Sequence, residues 1–236
     1  MRLTALQLPA RFGAAREQLA FAETLLEGGP RTDLVLFPEA ALTGYVSPKG
    51  DFDLTAFAEP IDGLTKASLA HLASHFDCLV IGPVIERAGA SLFNSMLGVT
   101  PDGTTLLHYR KHHPWFPEKW ATPGAAPSDV ITWRDRTLTA AICFDVHTLG
   151  VDAGPQLDAA DLLLFPSAWV DDQDSDARPA LLTAIAERHH VAVLNANWGP
   201  GRPRLNGQGG SMFLDSQGQL QERLKTTTGR LDVTLP

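Results

Sequence analysis

Three apolar stretches of this 236-residue chain run into a residue able to do chemistry. "DLVLFPE" ends at Glu39, "TTLLHYRK" ends at Lys111, and "LTAAICF" passes Cys143. In sheet proteins ligands gather beyond the carboxyl ends of strands, so a carboxylate, an ammonium and a thiol placed there can converge. Together they suit acyl transfer through a thioester. A free thiol is mostly protonated at neutral pH, and its thiolate is the nucleophile. Glu39 is suited to take that proton, and Lys111 to favour the anion. Attack on an amide carbonyl creates an oxyanion that needs donors where the charge develops. Lys111 and the backbone N–H of Phe144 can supply them. Protonated Glu39 can then pass its proton to the departing amine and later activate the water that cleaves the thioester. Its pKa must therefore be tuned by burial and by Lys111 in opposite directions. Taken singly, each residue has a plainer role: a cap, a solvated strand end, or core packing by a small apolar thiol. One reaction accounts for all three at once.

The elements that must position these residues read as an alternation. "RLTALQL" predicts a strand, and "AAREQLAFAETLLEGG" a helix with Leu19, Ala22, Leu25 and Leu26 on one stripe. "DLVLFPE" is a short buried strand. "LTKASLAHLASHF" places Leu69, Leu72, Ala73 and Phe76 at helical spacing, "CLVIGPVIE" is a strand, and "FNSMLGVTPDGTTLLHYRK" is two strands around a Pro-Asp-Gly turn. The second half repeats the plan. "DVITWRDRTLTAAICF" predicts a hairpin and "DLLLFPSAW" mirrors "DLVLFPEAA". "PALLTAIAERHH" predicts a helix with Leu181, Ala184 and Ile185 on one face, "VAVLNAN" a strand, and "SMFLDSQGQLQERL" mirrors the first hairpin. The offset is 128 from Asp33 to Asp161 and 115 from Gly103 to Gly218, so the repeat contains an indel. No linker separates the halves, which predicts one domain over residues 1–236. Two apolar sheets face to face with helices outside would bury these elements, giving an α/β four-layer α-β-β-α sandwich with two pseudo-symmetric halves. A doubly wound single sheet is the alternative, and the terminal hairpins argue against it.

Composition narrows the function classes. Hydrophobic residues make up 44% of the chain, enough for a substantial core, and a net charge of −8 with no basic stripe argues against nucleic acid. No apolar run reaches the roughly 18 residues of a membrane helix. The opening "MRLTALQLPARFG" reads as a first strand rather than a signal peptide. Two cysteines, Cys78 and Cys143, are too few for a disulfide framework, so a cytoplasmic setting is expected.

Other residues invite weaker readings. Tyr45 and Trp169 follow the two mirrored strands and can line a substrate pocket or sit at the core edge. Trp115, Phe116 and Trp120 can wall off water or anchor their loop. His112–His113 and His189–His190 suggest a metal, but adjacent histidines in a strand would point to opposite faces, and no zinc spacing is matched. "VDDQDSDAR" at Val170–Arg178 lacks the glycine and distal glutamate of a calcium loop and reads as a solvated loop. "GQGG" at Gly207–Gly210 lacks a phosphate-loop lysine and reads as a bend into a strand, while Cys78 reads as core. No metal and no cofactor is expected.

With these residues in view, the chain resembles the nitrilase, or carbon–nitrogen hydrolase, superfamily over nearly its whole length. "LVLFPEAALTGY" is similar to the family's glutamate segment, "YRKHHPWFPEKWATPG" to its lysine segment and "AAICFD" to its cysteine segment. "ADLLLFPSAW" and "AIAERHHVAVLNAN" resemble the elements that follow. Each segment alone is weak; five in family order and spacing are not. The resemblance implies the α-β-β-α sandwich, a Glu39–Lys111–Cys143 triad, and Glu118 as a second carboxylate that helps position substrate and water. Cys-Phe-Asp is closer to the amidase and carbamoylase branches than to true nitrilases. That implies a small linear amide or N-carbamoyl substrate, with nitrile hydrolysis, acyl transfer or a non-catalytic binding role as alternatives. A homodimer or higher homo-oligomer is also implied. One departure stands out: after "CFD", His147 takes the place of the family's arginine, and the Phe-Pro-Glu that usually follows is missing.

Overall fold

A computed structural model describes residues 1–171 and 176–236. The centre of the acidic stretch Val170–Arg178, with Asp172 and Asp174, lies outside the described residues. The first half contains β1 (Arg2–Gln7), α1 (Ala15–Glu27), β2 (Leu34–Leu36), α2 (Leu64–Phe76), β3 (Leu79–Ala88), β4 (Ser91–Val99) and β5 (Thr105–Arg110). The second contains β6 (Ile131–Trp133), β7 (Arg136–Ala140), a 3-10 turn (Cys143–His147), α3 (Leu149–Asp152), α4 (Gly154–Asp158), β8 (Leu162–Ser167), α5 (Arg178–His189), β9 (Ala192–Asn197), β10 (Met212–Leu214), β11 (Leu220–Arg223) and β12 (Gly229–Thr234).

Among the described residues these strands form two six-stranded sheets, in the orders β12-β1-β2-β3-β4-β5 and β11-β10-β9-β8-β7-β6. The pairing senses repeat. β1, β2 and β3 run parallel and are followed by two antiparallel partners; so are β7, β8 and β9. Each sheet also has an antiparallel edge strand next to its first parallel one, β12 beside β1 and β6 beside β7. The pseudo-symmetry read from the sequence is thus a symmetry of strand order and direction. One strand, β12, was not anticipated. It follows the second hairpin yet returns to the first sheet, pairing Arg2 with Thr234 and Gln7 with Gly229.

Period-two alternation sorts the first sheet's side chains between two cores. Leu3, Ala5, Leu34, Leu36, Leu79 and Ile81 join Leu138, Leu162 and Leu164 of the second sheet in one buried cluster between the sheets. Val35, Phe37 and Val80 face the other way, against Ala22 and Leu26 of α1 and Leu69, Leu72 and Ala73 of α2. Strands buried on both faces read as continuous apolar runs for this reason. Removing one such leucine side chain costs about 2–5 kcal/mol.

The α5 face differs from expectation. Leu182, Ile185 and Ala186 are buried, Leu181 is half-buried and Ala184 is exposed. The first residue lies on the same buried face. Arg178 turns inward, and its Nη2 donates to the Gly209 and Gly210 carbonyls at 3.0 and 3.2 Å. No helix among the described residues is long and apolar enough to cross a membrane.

Candidate active site

The three residues come from three strand ends. Glu39 lies three residues past β2, Lys111 follows β5 directly, and Cys143 opens the 3-10 turn three residues past β7. Two of the turns are tight. Cys143 itself sits at φ 48°, and Ala40, just after Glu39, also at φ 48°. Non-glycine residues reach this left-handed region at a cost of order 1–3 kcal/mol, tolerated where surrounding structure over-determines them. At Cys143 the surrounding structure is a clamp on Asp145. Its Oδ2 accepts the Ile142 N–H at 2.9 Å and the Tyr109 hydroxyl at 2.7 Å, and its Oδ1 accepts the His113 N–H at 2.7 Å. Burial raises the Asp145 pKa and these donors, with Lys111, oppose it.

Lys111 is buried between two carboxylates. Its Nζ donates to Glu39 Oε1 at 2.7 Å and to Glu118 Oε2 at 2.6 Å, and all three side chains are 0% exposed. Asn94 Nδ2 bridges the same pair, at 2.8 Å from Glu39 Oε1 and 2.6 Å from Glu118 Oε1. Glu39 Oε2 accepts the Ala168 N–H at 2.9 Å, from the turn that mirrors its own, and Glu118 Oε2 accepts the Trp115 N–H at 2.7 Å. Both carboxylates are therefore held at both oxygens, and two of the three ammonium protons are engaged. Burial disfavours the Lys111 charge, but Glu118 and Glu39 outweigh it and raise the pKa. Burial also raises the Glu118 pKa, with Lys111 pulling it back and Glu39 adding to it.

The Cys143 thiol is buried and lies within electrostatic reach of all three charges. Burial pushes its pKa well above the ordinary thiol value, Glu39 adds to this, and Lys111 opposes it. Lys111 alone therefore does not offset the burial and the carboxylates at the sulfur. A raised thiol pKa of this kind suits a nucleophile that is activated by an adjacent base.

The other anticipated residues fall around this centre. Phe144 is half-buried beside Cys143, with its ring 4.8 Å from that of His147, and His147 stacks on Trp169 at 6.1 Å. Phe144, His147 and Trp169 thus form an aromatic row. The Trp169 N–H donates to Asn197 Oδ1 at 3.0 Å. Tyr45 is buried and stacks on Trp115 at 6.3 Å. Its hydroxyl makes no well-formed hydrogen bond among the described residues, and burial, Glu118, Glu39 and Cys143 raise its pKa. The tryptophan loop divides its roles. Trp115 meets Tyr45 and Glu118, Trp120 Nε1 anchors to the Phe52 carbonyl at 2.7 Å, and Phe116 is 76% exposed. Gly207–Gly210 bends into β10, and Cys78 is core, its pKa raised by burial to about 12.

Two features escaped the sequence reading. Asn94 was hidden inside β4, where "FNSML" pairs a buried Asn with a buried Ser in an apolar strand; that interruption was the available signal. The first histidine pair also departs from the expected strand placement. His112 and His113 lie beyond the end of β5, not in a strand, and their rings are 4.4 Å apart. The turn depends on Gly124, whose N–H donates to the Lys111 carbonyl at 2.8 Å and where a Cβ would collide with the Arg110 carbonyl oxygen.

Comparison with known proteins agrees with this architecture. The chain is 29% identical to an (R)-stereoselective amidase from a Pseudomonas species over 189 residues, covering 80% of this chain and 68% of the relative. It is 28% identical to the omega-amidase YafV of Yersinia enterocolitica over 224 residues, 94% of this chain and 84% of that one. The crystal structure of XC1258 from Xanthomonas campestris, a CN-hydrolase superfamily protein with an arsenic adduct in the active site, shares the fold. Its TM-score is 0.84 at 23% identity, covering 100% of this chain and 90% of that one. The Carbon-nitrogen hydrolase family pattern matches residues 2–235, and the chain therefore belongs to the carbon–nitrogen hydrolase family of enzymes.

Proposed function

We propose that this enzyme hydrolyses a small linear amide or N-carbamoyl compound through a thioester on Cys143. The observation that supports this most is the Lys111 ammonium between Glu39 and Glu118, with the Cys143 thiol in their field. The amide assignment also rests on the amidases the chain resembles.

In the proposed reaction Glu39 takes the thiol proton as sulfur bonds to the carbonyl carbon. The oxyanion meets the remaining Lys111 N–H and the Phe144 N–H. As the C–N bond breaks, Glu39 returns the proton to nitrogen, and ammonia or an amine leaves. Water then attacks the thioester while Glu39 takes one of its protons, the C–S bond breaks, and the sulfur is reprotonated. Glu118 keeps Lys111 and the Trp115 loop in place and orders substrate and water. Tyr45, Phe144 and Trp169 line the substrate side. The chain needs no cofactor for these steps and acts as one domain over residues 1–236, as a homodimer or larger homo-oligomer in the cytoplasm.

An ammonia-release screen over linear amides and N-carbamoyl compounds tests the reading, with Cys143→Ala as control. Turnover by the native enzyme that vanishes in a folded Cys143→Ala variant supports it. Retained turnover rejects it. Acid formed only from nitriles, or a new amide formed only with added amine, would replace amide hydrolysis by the alternative chemistry.

A further inference from the structure

The loop that begins at Lys111 holds a second group of chemically capable side chains. His112, His113 and Asp152 each present one ligand atom, and these atoms lie within 4.8 Å of one another. Lys111 leaves β5 through the Gly124 turn, which places the two imidazoles side by side instead of on opposite faces of a strand. His112 Nδ1 lies 2.7 Å from the Gly124 carbonyl oxygen. A carbonyl only accepts, so Nδ1 carries the proton and Nε2 keeps a lone pair. This backbone-carbonyl partner is the arrangement that orients histidines bound to metals. His113 Nε2 lies 2.8 Å from Asp152 Oδ2, at the end of α3. The His113 and Asp152 side chains are 39% and 28% exposed, so an ion can enter from solvent. Among the described residues no hydrogen bond joins either ring to Glu39, Lys111 or Cys143.

We propose that His112, His113 and Asp152 form a binding site for a divalent transition metal ion of the Zn²⁺ or Ni²⁺ type. Two imidazoles and one carboxylate suit such ions, whereas Mg²⁺ and Ca²⁺ prefer all-oxygen shells. Water completes the coordination. On binding, the metal takes the place of the proton shared by His113 Nε2 and Asp152, and that proton moves to Nδ1 or to solvent.

The site's role is a brace rather than a reaction step. The His113 N–H donates to Asp145 Oδ1, and the His112 N–H to the Tyr109 hydroxyl at 3.2 Å. Tyr109 and Ile142 bind the other oxygen of Asp145, and Ile142 directly precedes Cys143. A metal joining the lysine loop to α3 therefore stiffens the segment that sets the cysteine turn.

The test uses the chelator-stripped 236-residue protein carrying Cys143→Ala, so that the active-site thiol cannot bind the ion. Calorimetric titration with ZnCl₂ and with NiCl₂, together with melting curves, should show one equivalent bound and a raised Tm, and no shift with MgCl₂. In the same background Asp152→Asn and His112→Phe should each weaken binding at least tenfold while the metal-free Tm still reports a folded chain. His112→Phe keeps a planar aromatic ring without a ligand nitrogen, and Asp152→Asn keeps the carbonyl that His113 meets. If one of the two variants fails to fold, the other carries the comparison. No bound equivalent at millimolar metal, or binding unchanged in the folded variants, overturns the proposal.

Discussion

Lys111 Nζ stands 2.7 Å from Glu39 Oε1, with both side chains out of contact with water. A buried pair of this kind is costly to break, because removing one partner leaves an unpaired charge in a medium of low dielectric. Here the ammonium also serves Glu118, so its loss would leave two carboxylates facing each other.

Lys111→Met is therefore expected to lower the free energy of unfolding by about 3–5 kcal/mol as well as to abolish turnover. Urea denaturation checks the first and ammonia release the second. A Lys111→Met enzyme as stable as the native one would show that the pair contributes no net stability.

Asn94→Ala removes one side-chain donor from each carboxylate. Hydrogen bonds to charged groups contribute about 1.5–3 kcal/mol. Loss of both predicts a fall in kcat/KM of at least tenfold in a chain that still folds. The pH profile should also move, because Glu118, whose pKa burial already raises, loses a donor that favours its ionised form. An unchanged pH profile would mark Asn94 as a packing residue.

Much of this arrangement was legible in the chain, and the misses have a common physical origin. Glu39, Lys111 and Cys143 could be found because each ends an apolar run, and strand ends are where sheet proteins place ligands. The mirrored "DLVLFPEAA" and "DLLLFPSAW" likewise announced two sheets of one plan, now seen as one shared strand order. Features set by long-range contacts were not legible. β12 belongs to the first sheet only because β1 offers it an edge 228 residues back, as the Thr4–Asp232 bond shows. The buried face of α5 includes an arginine that donates to the Gly209 and Gly210 carbonyls, a contact no local pattern encodes. Asn94 went unread because its partners arrive from two loops distant in sequence.

Away from the site, Glu86 predicts part of the acid response. Burial alone would raise its pKa, but hydrogen bonds from His108, Arg110 and Ser95 hold it at about 2 against an ordinary 4.5. The folded value lies below the unfolded one, so this contribution to stability is complete above about pH 4.5 and is lost as pH falls toward 2. Glu86→Gln should be less stable at neutral pH, and its unfolding free energy should fall less steeply across that window. An equal loss of unfolding free energy between pH 5 and pH 3 in the native and variant proteins, read from urea titrations, would refute the assignment.

The raised Cys143 pKa predicts alkylation behaviour. Iodoacetamide reacts with the thiolate, so modification of Cys143 should continue to accelerate beyond pH 9 without reaching a plateau. Peptide mapping by mass spectrometry follows the site directly. A plateau near neutral pH would mean that the sulfur is already ionised at rest.

The most direct test of the central claim is intact-protein mass spectrometry after rapid acid quench during turnover of an amide substrate. A mass increase equal to the acyl group, mapped to Cys143 and absent in Cys143→Ala, is the predicted result. Turnover with the acyl adduct mapped to another residue, or turnover retained by the folded Cys143→Ala variant, would contradict it.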